Sequence, residues 1–225
     1  MGAKTWMLVY ADGDVRSILK KDPKLDRDAT TALVTKLFPS DKLDALSDDG
    51  DLHHTNPRDD EIVAGYFDGL TILAAKEFAI DYPSKLDPRF IDAASGKTVY
   101  LVAMHSVVDW FAYAIWRNGK LQRALSLSPD SLILEDIGAR LEFEQPYWAG
   151  KHPVDDLDDK ECEYPLIFHP LELADAAVLE FFDDQLDQVG PGGIALMRFK
   201  RTPKSIIRSW HVRIVKYLLK KCLPE

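Results

Sequence analysis

The sequence contains few cysteines, and they are not spaced to build a scaffold. Its two cysteines, Cys162 and Cys222, lie far apart in the chain and in dissimilar, charged surroundings. A disulfide framework or a Cys-rich zinc site requires more thiols at closer spacing, so both are excluded. This cysteine usage is typical of a reducing cytosol, and we expect a cytoplasmic protein.

Long apolar runs and familiar ligand-binding motifs are also absent. The chain opens without a charged-then-apolar leader, and no apolar run approaches the roughly 18–20 residues of a membrane span. The polar residues 47–61 lack calcium-loop spacing, and the adjacent His53 and His54 are poorly placed to bind one metal together. We therefore expect no membrane span, no metal site and no cofactor.

Basic residues are scarce over most of the chain and concentrated near its end. The formal net charge is −9, but nine of the 28 basic residues lie between residues 188 and 224, where there is no acid. Residues 1–187 therefore contain 19 basic and 36 acidic residues, a net charge of −17. Such an acidic body repels nucleic acid and attracts basic partners, among them the chain's own C-terminal segment.

The most β-prone and aromatic stretch, residues 98–128, organises the predicted fold as a three-stranded meander. Its Asn118-Gly119 pair lies between apolar runs, the strongest short-range signal of a β-hairpin. A two-residue turn there places Asp109 opposite Ser128. Alternation predicts one face with Trp110, Ala112, Ala114, Trp116, Leu121, Leu125 and Leu127, and another with Asp109, Phe111, Tyr113, Ile115, Gln122, Ala124, Ser126 and Ser128. We predict that the first face is core and buries both tryptophans.

The remaining segments are predicted strands and helices without a βαβ rhythm. We predict strands at residues 4–10 and 164–169 and a second hairpin at residues 61–75. Amphipathic helices are predicted at residues 26–38 and 171–186. The predicted fold class is α+β, with a mostly antiparallel sheet built from hairpins and a meander and flanked by helices.

A glycine-rich linker, Gly190-Pro-Gly-Gly193, separates two regions of different composition. We predict an acidic α+β domain at residues 1–187 and, at residues 188–225, the linker followed by a basic amphipathic helix. This helix, residues 203–222, has an apolar side that requires a cover. Two covers suit it: an anionic membrane surface in peripheral contact, or a groove on the acidic body.

Several long motifs resemble those of a known protein family. They are MGAKTWMLVYADGD at residues 1–14, AMHSVVDWFAYA at 103–114, SLSPDS at 126–131, EDIG at 135–138, PYWAG at 146–150 and FHPLEL at 168–173. Over roughly residues 1–186 the chain resembles a family of uncharacterised bacterial proteins, classed only as a domain of unknown function. The resemblance implies a bacterial, cytosolic protein of one α+β domain, and it brings no activity or cofactor. Two features depart from the family: Leu132 stands where glycine is expected, and the segment after Gly190 has no counterpart.

One hypothesis for the function is a hydrolase. The predicted register brings Asp109 close to Ser126 on one face, and His105 precedes Asp109 by four residues, so a Ser-His-Asp constellation is geometrically allowed. The serine, however, lies in an ordinary strand without the glycines of a nucleophile elbow. The alternative is that His105 and Asp109 hydrogen-bond each other or nearby backbone at the bend of the meander.

The composition favours a non-catalytic binding module instead. An acidic surface, together with the lack of a nucleotide loop or nucleophile motif, suits recognition of a protein partner, as in an immunity or antitoxin-like protein with a basic partner. A further alternative is small-ligand binding on the sheet face of Phe111 and Tyr113, beneath the aromatic stretch that contains Tyr147 and Trp148.

Overall fold

The computed structural model describes residues 4–154, 164–182 and 194–204. The strands in these ranges are β1 (Lys4–Ala11), β2 (Asp41–Ala45), β3 (Glu61–Phe67), β4 (Leu70–Ala74), β5 (Thr98–His105), β6 (Trp110–Arg117), β7 (Lys120–Ser128), β8 (Leu132–Ile137) and β9 (Met197–Pro203). The α-helices are α1 (Val15–Leu19), α2 (Arg27–Leu37), α3 (Pro88–Asp92), α4 (Gln145–Trp148) and α5 (Pro170–Phe182). Short 3₁₀ turns lie at Leu52–His54, Lys76–Phe78, Pro83–Lys85 and Glu142–Glu144.

The described strands belong to one antiparallel sheet, in the order β2-β9-β3-β4-β1-β5-β6-β7-β8. The meander of β5, β6 and β7 and the hairpin of β3 and β4 are present as predicted. The α+β class is therefore confirmed. Residues 164–169, in contrast, do not form the predicted last strand.

Side-chain alternation along the strands produces two cores, one on each face of the sheet. In β1, Met7 and Val9 lie on the face that we call face 1, and Leu8 and Tyr10 lie on the opposite face 2. Helices α1, α4 and α5 cover face 1, and α2 and α3 cover face 2. Because both faces are covered, the central strands are apolar along almost their whole length.

The β6–β7 hairpin departs from the predicted register. Its turn residues Asn118 and Gly119 have φ values of 50° and 73°, typical of the predicted tight turn. Beyond the turn, however, Gln122 has no partner in the ladder, which is a β-bulge. Ile115 consequently pairs with Arg123.

This bulge exchanges the faces of β7, because side chains alternate with a period of two. Leu125 joins Phe111 on face 1, while Ser126 lies with Trp110 on face 2. The predicted pairing of Asp109 with Ser128 is therefore wrong. The predicted burial of Trp110 and Trp116 on one face is confirmed, since both lie on face 2 and are at most 9% exposed.

Gly138 fits closely against the bulge. A Cβ atom at this position would lie 2.0 Å from the backbone oxygen of Gln122, and the φ of Gly138 is +84°. Both the close approach and the left-handed backbone require glycine. The end of the EDIG motif is thus explained by the geometry of the neighbouring strand.

The predicted domain boundary after residue 187 is wrong, because β9 lies inside the sheet. This strand pairs with β2 on one side and with β3 on the other, and it buries Met197 and Phe199 on face 2. Among the described strands, β2 has no other neighbour. Residues 197–203 therefore belong to the domain, whereas residues 205–222 of the predicted helix lie outside the described residues.

The acidic body holds this basic strand with ion pairs. Arg201 Nε donates to Asp41 Oδ2 at 2.8 Å, and Arg201 Nη1 donates to Glu77 Oε2 at 2.8 Å. The other pairs are Arg198 with Asp48 and Glu61, and Lys200 with Asp60. The predicted attraction between the acidic body and the basic segment thus exists for residues 198–201.

Candidate binding site at the β5–β6 turn

The three predicted catalytic side chains have separate partners. Ser126 is fully buried, and its hydroxyl accepts a hydrogen bond from the Trp110 indole N–H at 3.2 Å. His105 Nδ1 accepts one from the Val107 backbone N–H at 3.2 Å. Among the hydrogen bonds of the described residues, none joins His105, Asp109 and Ser126 to one another. A serine nucleophile needs an adjacent base and access to substrate, whereas the Ser126 hydroxyl is buried and hydrogen-bonded to Trp110.

The turn of residues 106–109, which we call the valine turn, exposes two aliphatic side chains. Val107 is 73% exposed and Val108 is 46% exposed. Turns of this kind usually carry glycine, asparagine, aspartate or serine. The first contact that holds the turn is the hydrogen bond to His105, whose ring lies against Trp6 with a centroid distance of 6.1 Å.

The second contact that holds the valine turn comes from the loop before α5. Asp109 adopts a φ of +45°, in the left-handed region, and its Oδ2 lies 3.5 Å from His169 Nε2. His169 Nδ1 accepts a hydrogen bond from the Leu171 backbone N–H at 3.2 Å, so the imidazole proton is on Nε2 and faces the Asp109 carboxylate. Ile167, two residues before His169, is another aliphatic side chain that is 55% exposed.

The tyrosine at the edge of this loop has a raised pKa. Tyr164 stacks on His169 with a centroid distance of 5.6 Å. Burial, with a smaller contribution from the charge of Asp109, raises the pKa of Tyr164 to about 12. His169 and Tyr164 were not among the predicted site residues, because they lie more than 50 positions from Asp109 in the sequence.

The predicted ligand-binding aromatics lie in the core of face 1. Phe111 and Tyr113 are fully buried and stack on each other at 5.6 Å, and the Phe143 ring packs on Tyr113 at 6.1 Å. Tyr147 is also buried, and its hydroxyl donates to a backbone oxygen of α5. Trp148 donates its indole N–H to Glu144. The space under the aromatic stretch is thus filled by the protein's own side chains.

The centre of this region is a buried ion pair that periodicity did not indicate. Arg123 and Glu144 have fully buried side chains. Arg123 Nε donates to Glu144 Oε1 at 2.9 Å, and Arg123 Nη2 donates to Glu144 Oε2 at 2.6 Å. The bulge at Gln122 is the reason that Arg123 points to face 1. A planar guanidinium that donates two parallel hydrogen bonds to one carboxylate is the strong, bidentate form of this pair.

Further hydrogen bonds satisfy both charges. Glu144 also accepts from the Tyr113 hydroxyl at 2.6 Å, the Leu141 backbone N–H at 2.7 Å and the Trp148 indole N–H at 3.2 Å. The third nitrogen of Arg123, Nη1, donates to Asp136 and to the backbone oxygens of Ala124 and Ile137 at 3.3 and 3.0 Å.

These contacts decide which groups are charged. Burial opposes ionisation of Glu144, but the hydrogen bonds from Arg123 and Tyr113 outweigh it and hold the pKa of Glu144 below its usual value. Burial, followed by the charge of Glu144, raises the pKa of Tyr113. The network therefore consists of a carboxylate, a guanidinium and a neutral phenol.

Two further features of the described ranges bear on function. They contain no group of three or more His, Cys, Asp or Glu side chains that could hold a metal ion. They also contain no helix with the length and apolar character needed to cross a bilayer.

The described residues form a nine-stranded antiparallel sheet with a core on each face and an exposed aliphatic turn between β5 and β6, which defines an α+β domain. The chain belongs to a family of unknown function (DUF6928), whose model matches residues 5–199. The match ends within β9, so it includes part of the strand that the predicted boundary excluded. Neither the curated proteins nor the solved structures contain a match to the chain.

Proposed function

We propose that this protein is a non-catalytic, cytoplasmic binding module that recognises a protein partner through the valine turn. The observation that carries the proposal is the exposure of Val107 and Val108 on a turn that is held in place from both sides. Complete burial of a fully exposed valine side chain gains roughly 1.5–3 kcal/mol, and Val107 and Val108 gain the part of this that corresponds to their exposed fractions. A partner that covers both gains this energy on binding.

The fixed conformation of the valine turn is a second reason to expect affinity for a partner, besides the exposure of its side chains. Val107 is fixed by His105 through its backbone, and Asp109 faces His169. A binding element that is already in its bound conformation loses less entropy when the partner docks. His105 and Asp109 thus hold the valine turn in position. This role explains both residues without a catalytic function.

The charge of the body indicates the kind of partner. With a net charge of −9, the protein attracts basic proteins over long distances and repels nucleic acid. We infer a partner with an apolar pocket for the valines and a basic surface around it, as an immunity or antitoxin-like protein would have. The hydrolase alternative is weaker because Ser126 is fully buried and bonded to Trp110.

The test uses a double variant, Val107→Asp with Val108→Asp, and the matched control Leu179→Asp. Leu179 is also half exposed, but it lies on α5, about 15 Å along the helix from His169. A partner is first isolated by cross-linking in the source cells, and the purified pair is then measured by calorimetry. We expect the double variant to bind at least tenfold more weakly and the control to bind like wild type.

Equal affinity of all three proteins would overturn the role of the valine turn. The non-catalytic part of the proposal is tested separately with generic ester and phosphate substrates. Turnover by the wild type that disappears in both His105→Ala and Ser126→Ala would show that the protein is an enzyme.

A further inference from the structure

A second site lies on face 1, at the Arg123–Glu144 pair. The carboxylate of Glu144 accepts five hydrogen bonds, and three of their donors come from the sheet: Arg123 Nε, Arg123 Nη2 and the Tyr113 hydroxyl. Glu144 itself belongs to residues 139–149, a segment of short helices that lies over the sheet and that we call the covering segment. The sheet thus provides the donors, and a separate segment provides the anion.

We propose that Arg123 and Tyr113 form a carboxylate-binding site, that Glu144 occupies it as an internal ligand, and that the site takes up a small free carboxylate whenever the Glu144 side chain does not fill it. A guanidinium fork and a phenol hydroxyl, aimed at one point in a buried site, match the geometry and charge of a carboxylate.

The site is pre-organised without Glu144. Arg123 Nη1 donates to Asp136 and to the Ala124 and Ile137 backbone oxygens, all of which lie on β7 or β8. These contacts fix the plane of the guanidinium, so that Nε and Nη2 keep their direction whether or not Glu144 is present. Loss of Glu144 leaves two buried guanidinium donors, Nε and Nη2, without partners, and a small anion at that position satisfies both.

Stability alone is a poor explanation for the pair. Apolar residues of similar size often stabilise a protein core as much as a buried ion pair does, or more. The covering segment also has its own apolar attachment, since Phe143 packs on Phe181 at 5.6 Å and Trp148 packs on Phe168 at 5.0 Å. The carboxylate is therefore not required simply to hold the segment against the core.

The test removes the internal ligand and adds it back as a free molecule. Glu144→Ala deletes the carboxylate and one methylene, and acetate has nearly the same shape as the missing atoms. Thermal unfolding of the full-length variant is followed in 100 mM sodium acetate and in 100 mM sodium chloride at pH 7. For a Kd of about 1–10 mM, acetate raises the Tm of Glu144→Ala by about 3–10 °C relative to chloride.

Two controls make the result specific. Wild type, whose site is filled by Glu144, shows no difference between the salts. Glu144→Ala combined with Arg123→Met, which lacks the guanidinium, shows none either. If the single variant is unfolded in chloride, the measurement becomes the recovery of near-ultraviolet circular dichroism after dilution from urea, and we expect recovery in acetate only.

The proposal is overturned if Glu144→Ala has the same Tm in acetate and in chloride. It is also overturned if the variant refolds equally well in both salts, or in neither of them. It is also overturned if the double variant responds to acetate as strongly as the single variant does, because the binding would then not depend on Arg123. Isothermal titration of acetate into Glu144→Ala provides an independent readout of binding.

Discussion

A chain that ends after Gly193 lacks β9, and its behaviour distinguishes a strand of the domain from an appendage. The deletion removes three buried side chains: Leu196 on face 1, and Met197 and Phe199 on face 2. It also removes the only sheet neighbour that β2 has among the described strands. A matched chain that ends after Lys204 retains all of β9.

The cost of the shorter chain follows from burial. At roughly 1.5–3 kcal/mol for each large apolar side chain, loss of the three residues removes about 5–9 kcal/mol of stabilisation. The ion pairs of Arg201 with Asp41 and Glu77 are lost as well, which adds to the cost. Whole domains are stable by only about 5–15 kcal/mol, so we expect the chain that ends after Gly193 to be unfolded or molten at 25 °C.

The assay is urea unfolding of both truncations and of full length, followed by tryptophan fluorescence and far-ultraviolet circular dichroism. We expect a cooperative transition near that of full length for the chain that ends after Lys204, and none for the chain that ends after Gly193. A cooperative transition at the full-length midpoint in the shorter chain would refute the reasoning and restore a boundary near residue 187.

Four substitutions, one of them a control, test other features of the fold. Leu132 is half exposed and has a φ of +57°, a backbone conformation with a strain of about 1–2 kcal/mol. After the entropy cost of glycine, Leu132→Gly should raise the Tm by about 2–4 °C. A lower Tm would contradict the strain. Gly138→Ala should lower the free energy of unfolding by more than about 2 kcal/mol in urea titrations, because the Cβ of the alanine would lie 2.0 Å from the Gln122 backbone oxygen. Gly150→Ala is the control and should cost less, since Gly150 also has a positive φ, +69°, but has open space around it. His105→Ala should cost about 0.5–1.5 kcal/mol in the same assay, through the lost acceptor for the valine turn, and an unchanged midpoint would argue against that hydrogen bond.

Short-range patterns were sufficient to predict the hairpins and most of the secondary structure. The Asn118-Gly119 pair predicts its turn because both residues tolerate positive φ. The period-two alternation of side-chain direction in a strand predicts that Trp110 and Trp116 share a face, and both are buried there. The glycine at position 132 is expected from the family resemblance, and Leu132 adopts the left-handed backbone there with a φ of +57°.

The register of β7 was not predictable from the same patterns. One unpaired residue, Gln122, exchanges every following side chain between the faces, and the sequence of β7 is compatible with either arrangement. The contact between Gly138 and the Gln122 oxygen accommodates the bulge, but Gly138 lies on the next strand. A prediction from one strand at a time therefore places Ser126 on the wrong face.

The sequence by itself determined the composition of the domain, its hairpins and the charge imbalance between its body and its last strand. Only the tertiary structure decided which distant groups meet: Asp109 with His169, Arg123 with Glu144, and β9 with β2. The physical reason is that hydrophobic periodicity reports which side of an element is buried, while the choice among buried partners depends on how all the elements pack together. The proposed binding turn and the proposed carboxylate site both rest on such distant contacts.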